Sequence, residues 1–188
     1  MLVRKRYIRS VVNDLISAYK LAPPIDVERL AKELGIEVVY EPTDEGLSGF
    51  LLRDSKNDTA VIGVNKNHPV TRRRFTIAHE LGHFILHNYE GFHFDDDKQS
   101  FQIREREPVT LKKRDAVSSQ GSDFEEREAN YFAAELLMPD SFVRTEVKNV
   151  GTIDLFDETE KILKPMAKKF AVSTQALIYR LTNLGYID

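Results

Sequence analysis

The 188-residue chain contains no cysteine, which excludes disulfide bonds and thiolate metal ligands. Any metal site must therefore be built from imidazoles and carboxylates. Only five histidines are available: His68, His79, His83, His87 and His93. The candidate nitrogen ligands are few enough to be considered one by one.

Long apolar runs and a strong excess of one charge are also missing. No segment approaches the roughly 20 apolar residues that span a bilayer, and the basic first residues are not followed by the apolar stretch of a signal peptide. The net charge of −3 gives no strong attraction to nucleic acid or to a membrane surface. We therefore expect a cytoplasmic protein without membrane association, with one compact domain and at most a small appendage.

Residues 79–83 read HELGH, the most informative pattern in the chain. Residues four apart on a helix lie on one face, about 6 Å apart along the axis, so His79 and His83 can bind one metal ion. Glu80 can then reach a water molecule on that ion. This is the HExxH arrangement of zinc peptidases, with Glu80 as general base. The alternative is a core helix in which these side chains have no chemical role.

The residues around this motif predict a buried helix over roughly 71–88, with Thr71 as its N-cap. Gly82 lowers the stability of a helix. We therefore expect the backbone of another element to approach the helix closely at Gly82.

The rest of the pattern predicts an α+β fold with a predominantly helical C-terminal half. β-Branched residues predict a small three-stranded sheet, largely antiparallel because short links join its strands at 36–40, 48–52 and 59–64. Helical spacing predicts further helices at about 3–20, 27–34, 122–138, 139–149, 158–170 and 173–184.

We assign residues 1–150 to a metallopeptidase domain, and residues 151–188 to a C-terminal helical pair packed on its core. Residues 88–122 are polar and mixed in charge, and predict a long loop with one short strand near 101–103. Such a loop is either a rim over the active site or a solvated insertion. The strand at 48–52 could pair with an extended substrate.

A catalytic zinc usually has three protein ligands and an open position for water. His87 continues the row of His79 and His83, but three ligands in a straight row cannot surround one ion. His87 is therefore expected to support a ligand or to pack in the core. The helix after residue 122 offers glutamates instead, and two histidines with one glutamate form a known catalytic zinc set.

Two glutamates of this helix compete for the third position. At about 100° per residue, Glu126 and Glu128 lie about 200° apart and cannot share a face. Glu126 lines up with Ala129 and Ala133, whose small side chains suit a close crossing near Gly82.

Glu128 shares its side with Glu135, which we predict to face solvent. Glu125 is accounted for by a capping box with Ser122. We favour Glu126 and keep Glu128 as the alternative, with Asn130 orienting a ligand. The expected cofactor is one Zn²⁺ per chain, bound by His79, His83 and Glu126.

Two blocks of this sequence resemble the ImmA/IrrE family of zinc metallopeptidases: RFTIAHELGHFILH at 74–87 and EREANYFAAELLMP at 126–139. Residues 64–65 and 172–185 also fit, so the resemblance spans roughly 25–185, with 92–120 less similar. It implies a minimal gluzincin-like fold and a zinc endopeptidase of bacterial or phage origin. It further implies that the substrate is a helix-turn-helix repressor, cleaved or antagonised in phage, mobile-element or stress regulation.

Two other classes remain open. Residues 165–177 have the rhythm of a helix-turn-helix, which would suit a DNA-binding regulator, but residues 158–188 are only mildly basic. Direct DNA binding is therefore expected to be weak or absent. The other class is a protein that sequesters a repressor without turnover, against which the intact Glu80 argues. The oligomeric state is left open by the sequence.

Overall fold

A computed structural model describes residues 2–43, 46–54, 59–87, 91–94, 119–150 and 159–187. The predicted α+β class is confirmed. The strands are β1 (Ile36–Glu41), β2 (Gly49–Asp54), β3 (Thr59–Asn65) and β4 (Gly91–Phe94). The helices are α1 (Lys5–Tyr19), α2 (Val27–Glu33), α3 (Val70–Leu86), α4 (Ser119–Leu137), α5 (Asp140–Val150), α6 (Lys164–Phe170) and α7 (Thr174–Leu184). A π-helical turn at Thr159–Leu163 precedes α6.

The sheet contains the three predicted strands and a fourth, in the order β1-β3-β2-β4. β1 pairs with β3 in parallel, whereas β2 is antiparallel to both β3 and β4. β4 comes from the segment predicted as a loop, and the strand predicted near 101–103 lies outside the described residues.

The added strand changes one expectation about substrate binding. The strand predicted at 48–52 was expected to be able to pair with an extended substrate, but Phe50–Arg53 of β2 already pair with β4. β2 is an inner strand of the sheet, so this prediction was wrong. Among the strands that the structure describes, β1 and β4 lie at the edges.

Short local signals fix several of the helix ends. The Asp26 side chain accepts a hydrogen bond from the Arg29 backbone N–H at 2.9 Å and so caps α2. Ser173 caps α7 through the Ala176 N–H at 3.1 Å, and α7 ends at Gly185 with a φ of 75°, which glycine adopts without strain.

Two predicted helix starts were displaced. The N-cap of α3 is Pro69 rather than Thr71. α4 begins at Ser119, so Ser122 lies inside the helix and the predicted capping box does not start it. A capping box starts a helix only if the preceding chain leaves helical geometry, and residues 119–121 already have it.

α3 is the centre of the molecule, because it contacts β2, β3, α2 and α4. A common apolar core joins the sheet to the N-terminal and C-terminal helices through fully buried side chains: Ile8, Leu30, Ile62, Leu81, Phe132 and Phe170. Within the described ranges, no helix combines the length and apolarity needed to cross a membrane.

The C-terminal helices are fastened to this core by polar contacts. In α7, the Arg180 guanidinium donates to a Glu135 carboxylate oxygen at 2.6 Å and to the Met138 carbonyl at 3.0 Å, with both charged side chains almost fully buried. In α3, Arg74 donates to the carbonyls of Ile25 and Ala171. The division between residues 1–150 and 151–188 stays a prediction, since 151–158 lie outside the described residues.

The Arg180–Glu135 pair predicts a large loss of stability on truncation. Arg180→Leu leaves a buried carboxylate without its main cation, and removing one partner of such a pair costs about 3–5 kcal/mol. Urea unfolding should show a loss in this range. Tyr179→Ala, at an exposed position of the same helix, is the control and should change stability by less than about 0.5 kcal/mol. Equal stability of the two variants would contradict the prediction.

Candidate metal centre

His79 and His83 project from the same face of α3, as the helical spacing predicts. Their Nε2 atoms are 3.0 Å apart, and both side chains are almost completely buried. Two imidazole nitrogens thus converge on one point beside the helix.

Glu126 of α4 reaches the same point. Its Oε2 lies 3.2 Å from His79 Nε2, and its Oε1 lies 3.2 Å from His83 Nε2. His79, His83 and Glu126 therefore form a cluster that could hold a metal ion. Of the two glutamates that competed for this position, the structure brings Glu126 to the histidines.

The donor set and its spacing fit zinc. Zinc binds imidazole nitrogen and carboxylate oxygen at about 2.0–2.2 Å, which places neighbouring tetrahedral ligands about 3.3 Å apart. The observed separations of 3.0–3.2 Å are close to that value. Three protein ligands would leave the fourth position for water or substrate, as in catalytic zinc sites.

The close approach of α4 to α3 depends on Gly82. A Cβ atom at this position would lie 3.1 Å from the Ala129 Cα and 3.1 Å from a ring carbon of Phe132. The expectation that another backbone approaches α3 here is confirmed. The small residues at 82 and 129 allow Glu126 to reach the histidines.

Glu80 lies on α3 directly after the first histidine and is completely buried. The first residue of β2 packs beside it, because a Cβ atom at Gly49 would lie 3.8 Å from Glu80 Oε1 and 2.3 Å from Thr76 Cγ2. Any side chain at residue 49 would collide with α3. This glycine allows the start of β2 to lie against α3.

Each histidine of the cluster has a partner for its other ring nitrogen. His79 Nδ1 lies 3.2 Å from Asn130 Oδ1, which is the orienting contact predicted for Asn130. His83 Nδ1 lies 3.2 Å from His87 Nδ1. His87 therefore contacts a member of the cluster without joining it. This is the expected position, because three ligands in a straight row cannot surround one ion.

Electrostatics favours an ionised Glu126. Burial alone would raise the pKa of its carboxyl, but the hydrogen bonds and charges of His79 and His83 outweigh that effect and hold the pKa well below its usual range. Burial lowers the pKa of His87, and neighbouring His83 lowers it further. A metal site requires a deprotonated carboxylate and neutral imidazoles.

The prediction that Glu128 and Glu135 face solvent was wrong. Both are buried, on the flank of α4 opposite Glu126. Glu135 pairs with Arg180, and Glu128 accepts hydrogen bonds from Arg4. Burial raises the pKa of Glu128, but the Arg4 hydrogen bonds and His87 lower it to about 2.

Sequence reasoning missed Arg4. This residue lies 124 positions before Glu128 and belongs to the basic first residues, for which no role in the site was predicted. A buried glutamate needs a cation or several donors, so recognising the burial of Glu128 would have been the signal to search for one.

Comparisons with known proteins give a relative in sequence and a relative in fold. A relative from Bacillus phage phi105, named uncharacterized immunity region protein 2, is 32% identical over 142 residues, which are 76% of this chain and 74% of the relative. A solved structure, a Mycobacterium tuberculosis transcriptional regulator, matches with a TM-score of 0.60 and 15% identity, over 94% of this chain and 46% of that one. That likeness shows a shared fold, and this chain spans about half the length of that protein.

The predicted family resemblance is confirmed by the match to a family model. The model describes an IrrE N-terminal-like domain and covers residues 31–182, a range that includes both His79–His83 and Glu126. The chain therefore belongs to the Peptidase_M78 family of IrrE N-terminal-like domains.

Proposed function

We propose that this protein is a zinc-dependent endopeptidase that hydrolyses a specific protein substrate. The observation that carries the proposal is the convergence of His79, His83 and Glu126 within hydrogen-bond distance of one another, with Glu80 on the same helix. A metallopeptidase role is also what membership of this family implies.

The proposed reaction is the hydrolysis of a peptide bond. A zinc ion held by His79, His83 and Glu126 would polarise the scissile carbonyl and lower the pKa of water toward about 7. Glu80 accepts a proton as water attacks the carbonyl carbon, and returns it to the amide nitrogen as the C–N bond breaks. The buried position of Glu80 keeps bulk solvent away from this transfer.

We infer that the substrate is a helix-turn-helix repressor. The relative from phage phi105 is named for an immunity region, and the structural neighbour is named a transcriptional regulator, so both names point toward gene regulation. Cleavage of one repressor would suit phage, mobile-element or stress regulation. Because repressors act on DNA inside the cell, a cytoplasmic location is part of the proposal.

A regulator that binds DNA or sequesters a repressor without turnover is the second candidate. Its support is the α6–α7 pair, which is joined by a three-residue turn as in a helix-turn-helix. Two basic residues of this helical pair are already paired with acidic side chains: Arg180 is buried against Glu135, and Lys169 lies 2.5 Å from Glu146. This pairing argues against sequence-specific DNA binding. We therefore propose that residues 151–188 serve mainly as a helical pair packed on the peptidase core.

The first prediction concerns metal content. Purified protein should contain about one zinc per chain, and His79→Ala, His83→Ala or Glu126→Gln should weaken zinc binding by orders of magnitude, because each removes one of three ligands. Elemental analysis and chelator competition measure this. Glu125→Gln, one residue away and outside the cluster, is the matched control and should retain zinc. Zinc retained by all three ligand variants would refute the proposed site.

Glu80→Gln should fold and keep zinc but lose cleavage, since glutamine has nearly the same shape and cannot accept the proton. Mass spectrometry of a repressor encoded near this gene, after incubation with each protein, measures the reaction. Glu33→Gln, far from the site in sequence and on the exposed side of α2, serves as the control. Cleavage by Glu80→Gln at the wild-type rate would remove Glu80 from its proposed role.

DNA binding should be weak and strongly dependent on salt. In a gel-shift experiment at physiological salt, the full-length protein should show no sequence-specific complex. Replacing Lys168 and Lys169 together by glutamine should change little. A specific complex that this double substitution abolishes would favour the regulator over the peptidase.

A further inference from the structure

A buried line of hydrogen bonds leads away from the metal cluster on the far side of His83. His83 Nδ1 lies 3.2 Å from His87 Nδ1, and His87 Nε2 lies 3.3 Å from Glu128 Oε2. The side chains of His83 and Glu128 are fully buried, and that of His87 is 5% exposed. This line, which we call the His83–His87–Glu128 relay, is not needed to complete the ligand set.

The relay has only one consistent arrangement of protons when His83 Nε2 faces the cluster. His83 then carries its proton on Nδ1 and donates to His87 Nδ1. His87 must carry its own proton on Nε2 and donates to Glu128. Metal-binding histidines usually donate their second ring N–H to a carboxylate or a carbonyl. Here the carboxylate is one imidazole further away.

The acceptor end of the relay is fixed by the N-terminal segment. The Arg4 backbone N–H and Nε each lie 2.9 Å from Glu128 Oε1, and Arg4 Nη2 lies 2.5 Å from Glu128 Oε2. Arg4 immediately precedes α1, and α1 packs on α4. The orientation of Glu128 therefore depends on the docking of a segment that is 124 residues away in sequence.

We propose that Glu128 and His87 are positioning residues for the metal ligand His83. Glu128, held by Arg4, orients His87, and His87 holds His83 in the ring orientation and tautomer that bind zinc. Zinc affinity is thereby tied to docking of the N-terminal segment. The proposal rests on the metal site of His79, His83 and Glu126, and is independent of the substrate.

The competing explanation is that Glu128 only fastens α1 to α4. In that case its loss would lower the stability of the fold but leave the zinc affinity of the folded protein unchanged. The two explanations therefore differ in zinc affinity and in the ligand field of the bound metal, rather than in stability.

The test measures the zinc dissociation constant of the full chain by competition with a chromophoric chelator. Glu128→Gln and His87→Phe should each weaken binding about 10- to 100-fold, the usual effect of losing an outer partner. Arg4→Gln should weaken binding less, because the backbone N–H of residue 4 still reaches Glu128. Glu33→Gln and Arg6→Gln, at exposed positions outside the relay, are the controls and should bind like wild type.

Two further readouts separate positioning from a general loss of structure. The visible spectrum of the cobalt-substituted protein should shift in Glu128→Gln and His87→Phe and remain unchanged in the controls. If both residues act through one relay, the variant that carries both Glu128→Gln and His87→Phe should bind zinc as tightly as the single variant with the lower zinc affinity. A loss of zinc affinity equal to the product of the two single losses would overturn the relay.

Unchanged zinc affinity and cobalt spectra in Glu128→Gln, His87→Phe and Arg4→Gln would overturn the inference alone. Failure of the wild type to bind zinc would overturn the metal site itself. If Glu128→Gln does not fold, His87→Phe still decides, because it leaves the Arg4–Glu128 pair in place and removes only the link between Glu128 and His83. Wild-type affinity in that variant would then overturn the inference.

Discussion

The candidate site depends on how closely α3 and α4 pack. Gly82 has no side chain, and an added Cβ would already lie 3.1 Å from the Ala129 Cα. Glu126 reaches both His79 and His83, and Asn130, one turn further along α4, meets His79. A larger residue at the crossing would separate the helices and withdraw Glu126 from the histidines. The destabilising effect of a helical glycine is therefore offset by the packing that it permits.

α4 supplies three acidic side chains, each with its own charged or polar partners. Glu126 faces the two histidines, Glu128 faces Arg4 and His87, and Glu135 faces Arg180. A buried charge is costly unless it is paired and hydrogen-bonded. Each glutamate therefore constrains which surface may pack against α4. The same helix thus completes the metal cluster, fastens the N-terminal segment and receives the last helix of the chain.

The sequence predicted the parts of the site that depend on one helix or on small residues at a crossing. The spacing of His79 and His83 fixes their common face, and Gly82 indicates a close neighbour. Glu126 was favoured because it aligns with Ala129 and Ala133, and the structure brings it to the histidines. These inferences needed only helical geometry and side-chain size.

The incorrect predictions about burial on α4 and about the sheet share a different origin, because each concerned a partner from a distant part of the chain. α4 was treated as a helix with one buried face, but its buried arc extends from Glu126 through Ala129 to Glu128, roughly 160° at 100° per residue. Such a wide arc arises because α3 and α1 both pack on α4. β4 was missed for a similar reason, since four residues within a polar segment become a strand only when β2 provides a partner.

The row of three histidines, two on α3 and the third at its C-cap, shows how one repeated spacing can produce two kinds of position. His79 and His83 are near enough to meet at one point, whereas His87 is displaced by a further turn of about 6 Å along the helix axis. That displacement places His87 beside the outer nitrogen of His83 and within reach of Glu128. Glu126 and Glu128 point about 200° apart on α4, yet both contact the same row of histidines. Glu126 lies beside His79 and His83, and Glu128 lies beside His87. Two packed helices and the residue that ends one of them thus bring together the inner cluster and the residues that contact it from outside.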